Sequence, residues 1–110
     1  MKARAITWPT GKWKIVEMEL WDQEYVDMEE PGHITFKEDG TGQLHFGCVD
    51  AQLDWWRDKD VERVDFSFTG FDEGDEVSGR GWVAVEAKQL AGQLAFHQGD
   101  ESAFKARKES

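Results

Sequence analysis

The chain has 110 residues, a formal net charge of −10 at pH 7, and 39% hydrophobic and 33% charged residues. This length fits one domain with one core, and six tryptophans and seven phenylalanines exclude a chain that stays disordered for lack of apolar surface. No apolar run approaches the roughly 20 residues that span a bilayer, and the apolar stretch near the N-terminus is too short for a secretory signal, so we expect a cytoplasmic protein that does not enter a membrane.

Apolar residues alternate with polar ones along most of the chain, which is typical of half-buried strands. The first strand is predicted over residues 14–21, and later runs bring the total to about seven. Short loops at 38–42, 57–60, 72–75, 86–89 and 98–101 favour hairpins between them. The predicted inner faces carry Val16, Met18, Leu20, Ile34, Phe36, Leu44, Phe46, Cys48, Val64, Phe66, Phe68, Val83, Val85, Leu90, Leu94, Phe96, Phe104 and Ala106.

One helix is predicted, over about residues 22–30, directly after the first strand. Asp22 is suited to cap its first turn, and Pro31 with Gly32 ends it. Trp21, Tyr25 and Met28 are spaced for one face, so we expect a short amphipathic lid or plug.

Together these elements predict a mainly β single domain, in which an antiparallel meander curls into a small barrel or half-barrel. We place the ordered core at about residues 11–107 and expect both tails to fray. A barrel of this size is only wide enough for its own side chains, so little room is expected for an internal cavity. Six phenylalanines are predicted to fill it: Phe36, Phe46, Phe66, Phe68, Phe96 and Phe104.

The opposite faces of the strands collect unusual side chains for a solvated surface. Three are tryptophans, and we expect this face to be covered by the short helix, by a second subunit or by a ligand. The residues predicted there are Trp13, Ile15, Glu17, Glu19 and Trp21 on the first strand, Gln43 and His45, then Arg80, Trp82, Ala84 and Glu86, and finally Gln93 and His97.

The stretch FDEGDEVSGRGW (71–82) does not match the spacing of an EF-hand loop, and turn chemistry explains it better. We expect Gly70, Gly74, Gly79 and Gly81 to permit bulges and positive φ angles at a rim. Arg80 is predicted to pair with a carboxylate such as Glu17 or Asp72 and to stack on an aromatic ring, or to clamp an anionic ligand. The ligand-binding candidates are Trp21, Arg80 and Trp82.

Signals for metal binding and catalysis are weak. His45 and Cys48 should lie on opposite faces of a strand, and no CxxC or HExxH spacing occurs, so we expect neither a metal nor a cofactor. Carboxylates and a histidine near predicted turns or on one strand face give the catalytic candidates, with roles in acid-base or nucleophilic chemistry. These candidates are Glu17, Asp72, His97 and Asp100.

Charge is unevenly spread. Residues 15–104 hold 22 acidic and six basic residues, a balance of −16, which should repel a phosphate backbone. We therefore expect no binding to nucleic acid, and either a solvated acidic surface, a basic protein partner or mimicry of nucleic acid. The single cysteine, Cys48, excludes an intramolecular disulfide.

Two resemblances add to this reading. Gly11, Lys12 and Trp13 at the first strand, with Arg107 on the last, look like the GxW start and closing arginine of calycin barrels, which implies a calycin-like fold. MELWD (18–22), DGTGQLHFG (39–47), FSFTGFDEGDEVSGRGW (66–82) and HQGDESAF (97–104) are together similar to a family of short bacterial proteins. That second resemblance spans most of the chain and implies no activity.

These observations favour a binding or interaction module over an enzyme. Its Trp, Arg and acidic face would meet a partner subunit, such as a second copy in a homodimer, or a small anionic ligand. The alternative is a small hydrolase or lyase that uses Glu17, Asp72, Arg80 and His97 at one barrel rim, which requires these four side chains to converge.

Overall fold

A computed structural model describes residues 9–58, 62–86 and 88–109. They form eight strands and a four-residue helix, and each strand pairs antiparallel with the next until β8 returns to β1. The meander and single-domain architecture are confirmed, and the sheet closes completely. The elements are β1 (Gly11–Met18), α1 (Gln23–Val26), β2 (His33–Phe36), β3 (Thr41–Phe46), β4 (Val49–Asp58), β5 (Arg63–Asp72), β6 (Asp75–Glu86), β7 (Gln89–Phe96) and β8 (Glu101–Lys108).

The strand that the sequence did not resolve is β4. Its residues Val49, Ala51 and Leu53 alternate into the core like those of any other strand. Only Gly47 and Cys48 separate β4 from β3, and Gly47 has a φ of 58°, so the chain reverses within two residues. Cys48 therefore lies in a turn, and its predicted place on an inner strand face is wrong.

A bulge in β1 reverses the predicted orientation of half that strand. The register with β8 shifts between Ile15 and Glu17, and one extra residue there moves the following side chains to the other face. As a result Trp13 and Ile15 are buried in the core, although alternation back from Met18 places them outside. Leu20, predicted inside, is exposed because β1 ends at Met18.

The barrel interior is filled by aromatic and aliphatic side chains, as predicted. Five of the six predicted phenylalanines are buried, and Phe96 packs against them from one end. Among the predicted inner residues of β6, Val83 is buried but Val85 is 43% exposed, because the strand continues beyond the core.

Glycines in β6 make room for the phenyl rings. Gly79 pairs with Phe68 and Gly81 with Phe66, and a Cβ atom on either glycine would lie 2.6 Å from the Cζ atom of the ring. The predicted role of these glycines, positive φ at a rim, is wrong for both, and also for Gly70. Of the four predicted positions only Gly74, in the β5–β6 turn, has a positive φ.

The helix is shorter than predicted but does close one end of the barrel. Asp22 Oδ1 accepts a hydrogen bond from the Tyr25 N–H at 3.0 Å, as expected for a cap. The ring of Trp21 lies 5.0 Å from that of Phe46. Met28, predicted on the same helical face, lies beyond α1 and is exposed. No helix in the described part of the chain is long and apolar enough to cross a membrane.

At the opposite end Trp13 is fixed by polar contacts. Its indole Nε1–H donates to the Pro9 carbonyl at 2.7 Å. The Nζ atom of Lys108 lies 5.1 Å from the centre of the indole ring and donates to the Thr10 carbonyl at 2.9 Å. The resemblance to calycins implies that Arg107 closes the barrel, but Arg107 points outward on β8 and Lys108 covers the tryptophan.

Candidate functional site

The outer surface of β6, β7 and β8 carries two of the three predicted ligand-binding residues. Strand register aligns its outward residues in four rows, each running from β6 through β7 to β8. We call this surface the β6–β8 face. Its rows are Glu86, Gln89 and Arg107; Ala84, Ala91 and Lys105; Trp82, Gln93 and Ala103; and Arg80, Ala95 and Glu101.

Trp82 is half-buried and is held from the neighbouring strand. Arg63 on β5 places its Cζ atom 5.4 Å from the centre of the Trp82 ring. The same guanidinium lies 3.2 Å from Asp65, the cross-strand neighbour of Trp82. Trp56, next to Asp65 on β4, is half exposed. Two indole rings and a paired arginine therefore form the edge of this face.

Arg80 is exposed and has no ion pair or hydrogen bond with any described residue. The predicted pairing with Glu17 or Asp72 is therefore not formed. Glu17 lies beside Lys105 on the β1–β8 side, and Asp72 lies at the β5–β6 turn, opposite Asp75. The guanidinium is left available for a group outside the chain.

Shallow grooves run over this surface on both sides of Arg80. A groove of about 560 Å³ joins Arg80 to Trp56, Trp82 and Glu101, and a second of about 870 Å³ joins it to His97 and Glu101. Both are open to solvent. Small side chains, including Ser67 and Ala95, form the floor between them.

The predicted catalytic residues are divided among different places. His97 borders the groove that also holds Arg80, whereas Glu17 borders a smaller groove of about 230 Å³ with Trp82. Asp72 lies in neither groove. Asp100 accepts the Phe96 N–H through its backbone carbonyl at 2.8 Å. Trp21, the third predicted ligand-binding residue, packs on Phe46 and Phe96 at the barrel end rather than on the β6–β8 face.

The sequence reading missed a buried histidine pair on β2 and β3. His33 and His45 are cross-strand neighbours whose rings stack with centroids 5.7 Å apart. Both point away from the barrel interior, yet they are 8% and 5% exposed. Their Nε2 atoms lie 3.6 and 3.8 Å from Glu30 Oε2. The signal available in the sequence was the position of Glu30, three residues before His33.

Burial lowers the pKa of one member of this pair, His33. Loss of solvent, together with the nearby Lys12 and His45, holds the pKa of His33 below its ordinary value although Glu30 opposes the shift. His33 Nδ1 and His45 Nε2 have no hydrogen-bond partner. Within the described residues, no group of three or more His, Cys, Asp or Glu side chains is arranged to hold a metal ion.

No family model, no curated protein and no solved structure was found to match this chain.

Proposed function

We propose that this protein is an interaction module whose β6–β8 face binds another protein. The observation that carries the proposal is Arg80: a guanidinium without a partner among the residues that the structure describes, set in open grooves next to the half-buried ring of Trp82. Arginine and tryptophan are the residue types that contribute most to protein interfaces.

The shape of the surface supports a protein partner over a small molecule. Small-molecule sites are concave and enclose most of their ligand. Here the bore is filled by side chains such as Phe36, Phe66 and Leu94. The grooves beside Arg80 are open on the outer side of a sheet, which suits a second surface laid against it. A closed barrel also lacks a free edge strand, so a partner must use a face or an end of the barrel.

A small anionic ligand is a second candidate, favoured by one observation. Arg80 and His97 border the same groove, together with Ser78 and Gly99, and could bind a carboxylate or phosphate without any second protein. The hydrolase or lyase alternative draws on the same groove. Of its four residues, however, only Arg80 and His97 meet there.

Site-specific photocrosslinking tests the interaction face. A benzophenone side chain replacing Gln93, at the centre of the β6–β8 face, should yield a defined crosslinked protein in cells, and R80E should reduce that yield. The matched control is the same probe at Glu38, an exposed residue in the turn between β2 and β3. Equal crosslinking at both positions, or a yield from Gln93 that R80E leaves unchanged, contradicts the proposal.

A further inference from the structure

We propose that the partner on the β6–β8 face is a second copy of this chain, related by a two-fold axis that lies in the interface and runs along β7. This inference rests on the proposed function and names its partner. The distribution of charge over the four rows of the face supports a second copy as the partner.

The outward side of β7 carries no charge, as an axis of this kind requires. Residues on a two-fold axis face their own copies, so a charge there would oppose an identical charge. The outward residues of β7 are Gln89, Ala91, Gln93 and Ala95.

In the two rows that have a charged residue on both β6 and β8, the two charges are opposite in sign. In one row Arg80 on β6 and Glu101 on β8 stand on either side of Ala95. In another, Glu86 on β6 and Arg107 on β8 stand on either side of Gln89. A rotation about β7 exchanges β6 and β8, so each of these residues would face the opposite charge on the second copy.

The sign order of the two rows differs, so two in-plane rotations bring opposite charges together. An axis along β7 pairs Arg80 with Glu101 and Glu86 with Arg107, whereas an axis perpendicular to β7 would pair Arg80 with Glu86 and Glu101 with Arg107; the charge-free outer side of β7 favours the first. On β6 the charges read negative at Glu86 and positive at Arg80, whereas on β8 they read positive at Arg107 and negative at Glu101. All four side chains are exposed, and none forms an ion pair with another described residue. The rotation would form four ion pairs between the two copies and no like-charge contact in these rows.

The two middle rows supply the packing. The same rotation lays Trp82 of one copy over Ala103 of the other, so the large ring meets a small side chain. Ala84 would likewise meet the stem of Lys105. Because the axis is parallel to β7, the two sheets would pack in the aligned manner that twisted sheets favour.

Charge reversal tests the axis directly. We expect sedimentation velocity to show a concentration-dependent dimer of the wild-type chain, at twice 12.6 kDa. R80E and E101R should each weaken dimer association by more than about tenfold. Either substitution gives residues 80 and 101 the same charge, and the two-fold axis places them against each other at two positions in the interface. The double variant R80E/E101R exchanges the two charges and should restore the dimer.

The decisive control is the double variant R80E/E86R. It has the same net charge as R80E/E101R and reverses the same numbers of acidic and basic residues. In this variant residues 80 and 101 are both negative and residues 86 and 107 are both positive, so like charges would meet in both rows. We therefore expect it to stay monomeric. Urea unfolding of each variant confirms that the barrel is intact. A monomeric wild type, no restoration in R80E/E101R, or restoration in R80E/E86R overturns the proposed dimer. If the probe at Gln93 then captures a different protein in an Arg80-dependent way, the proposed function stands without a second copy.

Discussion

At the scale of a single residue, His33 shows how burial by neighbouring side chains changes the pKa of a histidine. Alternation places it on the outer side of the barrel, where a histidine is ordinarily solvated and titrates freely. The stacked ring of His45 and the carboxylate of Glu30 instead leave it 8% exposed. Its pKa is lowered by this burial, so the folded chain holds it neutral where the unfolded chain would be protonated.

This shift predicts a dependence of stability on pH. The unfolded state binds a proton as pH falls through 6.5, the ordinary value for His33, while the folded state resists until a lower pH. The stabilisation is therefore complete above 6.5 and is lost as pH falls toward the folded pKa. Because many carboxylates also titrate, the measurement is the difference in urea unfolding free energy between wild type and H33Q at a series of pH values. That difference should shrink on acidification. H97Q serves as the exposed control, and a difference that is constant across pH 6.5 contradicts the prediction.

At the scale of a strand, β6 shows how glycine can be a packing residue. The SGRG sequence by itself predicts a turn, since glycine in a loop usually marks a positive φ. In the sheet, Gly79 and Gly81 have no such angle and instead lie opposite Phe68 and Phe66. Arg80 points outward between them because the strand continues through the motif. The glycines and the arginine thus serve opposite faces of one strand.

Adding one methyl group to β6 tests this packing. G81A places a Cβ atom 2.6 Å from Phe66 Cζ and also against the Gln93 carbonyl, so we expect a loss of roughly 1–3 kcal/mol in the free energy of unfolding. S78A on the exposed side of the same strand should change stability by less than about 0.5 kcal/mol. Replacing the Phe66 ring by the smaller leucine side chain in the double variant G81A/F66L should make the two losses less than additive. Strict additivity would indicate that the ring and the glycine do not share space.

At the scale of the whole molecule, the closed barrel and the net negative charge both influence stability and association. Pairing of β8 with β1 leaves no free edge among the described strands, and the chain carries a net charge of −10. Self-repulsion of this size lowers the stability of a compact state and is screened by salt. An acidic surface with uncharged outward positions along β7 also limits where a second copy could approach.

Screening should therefore stabilise the monomer. In the R80E/E86R variant, which keeps the net charge and should not dimerise, raising NaCl from a low concentration to one that shortens the Debye length to about 8 Å should increase the free energy of unfolding on the order of 1 kcal/mol. Urea unfolding at several salt concentrations measures this. A free energy that falls with salt would mean that attractive surface pairs outweigh the repulsion.

The sequence by itself determined the class of fold, the aromatic core and most of the turns. These depend on local chemistry: alternation with a period of two sorts Phe36, Phe46 and Phe66 to one side, and short loops with Gly and Asp mark where the chain reverses. The candidate face was predicted in part, because Arg80 and Trp82 alternate on one strand and are unusual there.

Only the tertiary structure decided the rest, because it depends on register between strands that are distant along the chain. The bulge in β1 is defined by its pairing with β8, and it places the side chains of Trp13 and Ile15 inside the barrel instead of outside. The burial of His33 depends on its neighbour His45 and on Glu30. Most of all, the alignment of Glu86 with Arg107 and of Arg80 with Glu101 exists only once β7 has paired with both of its neighbours.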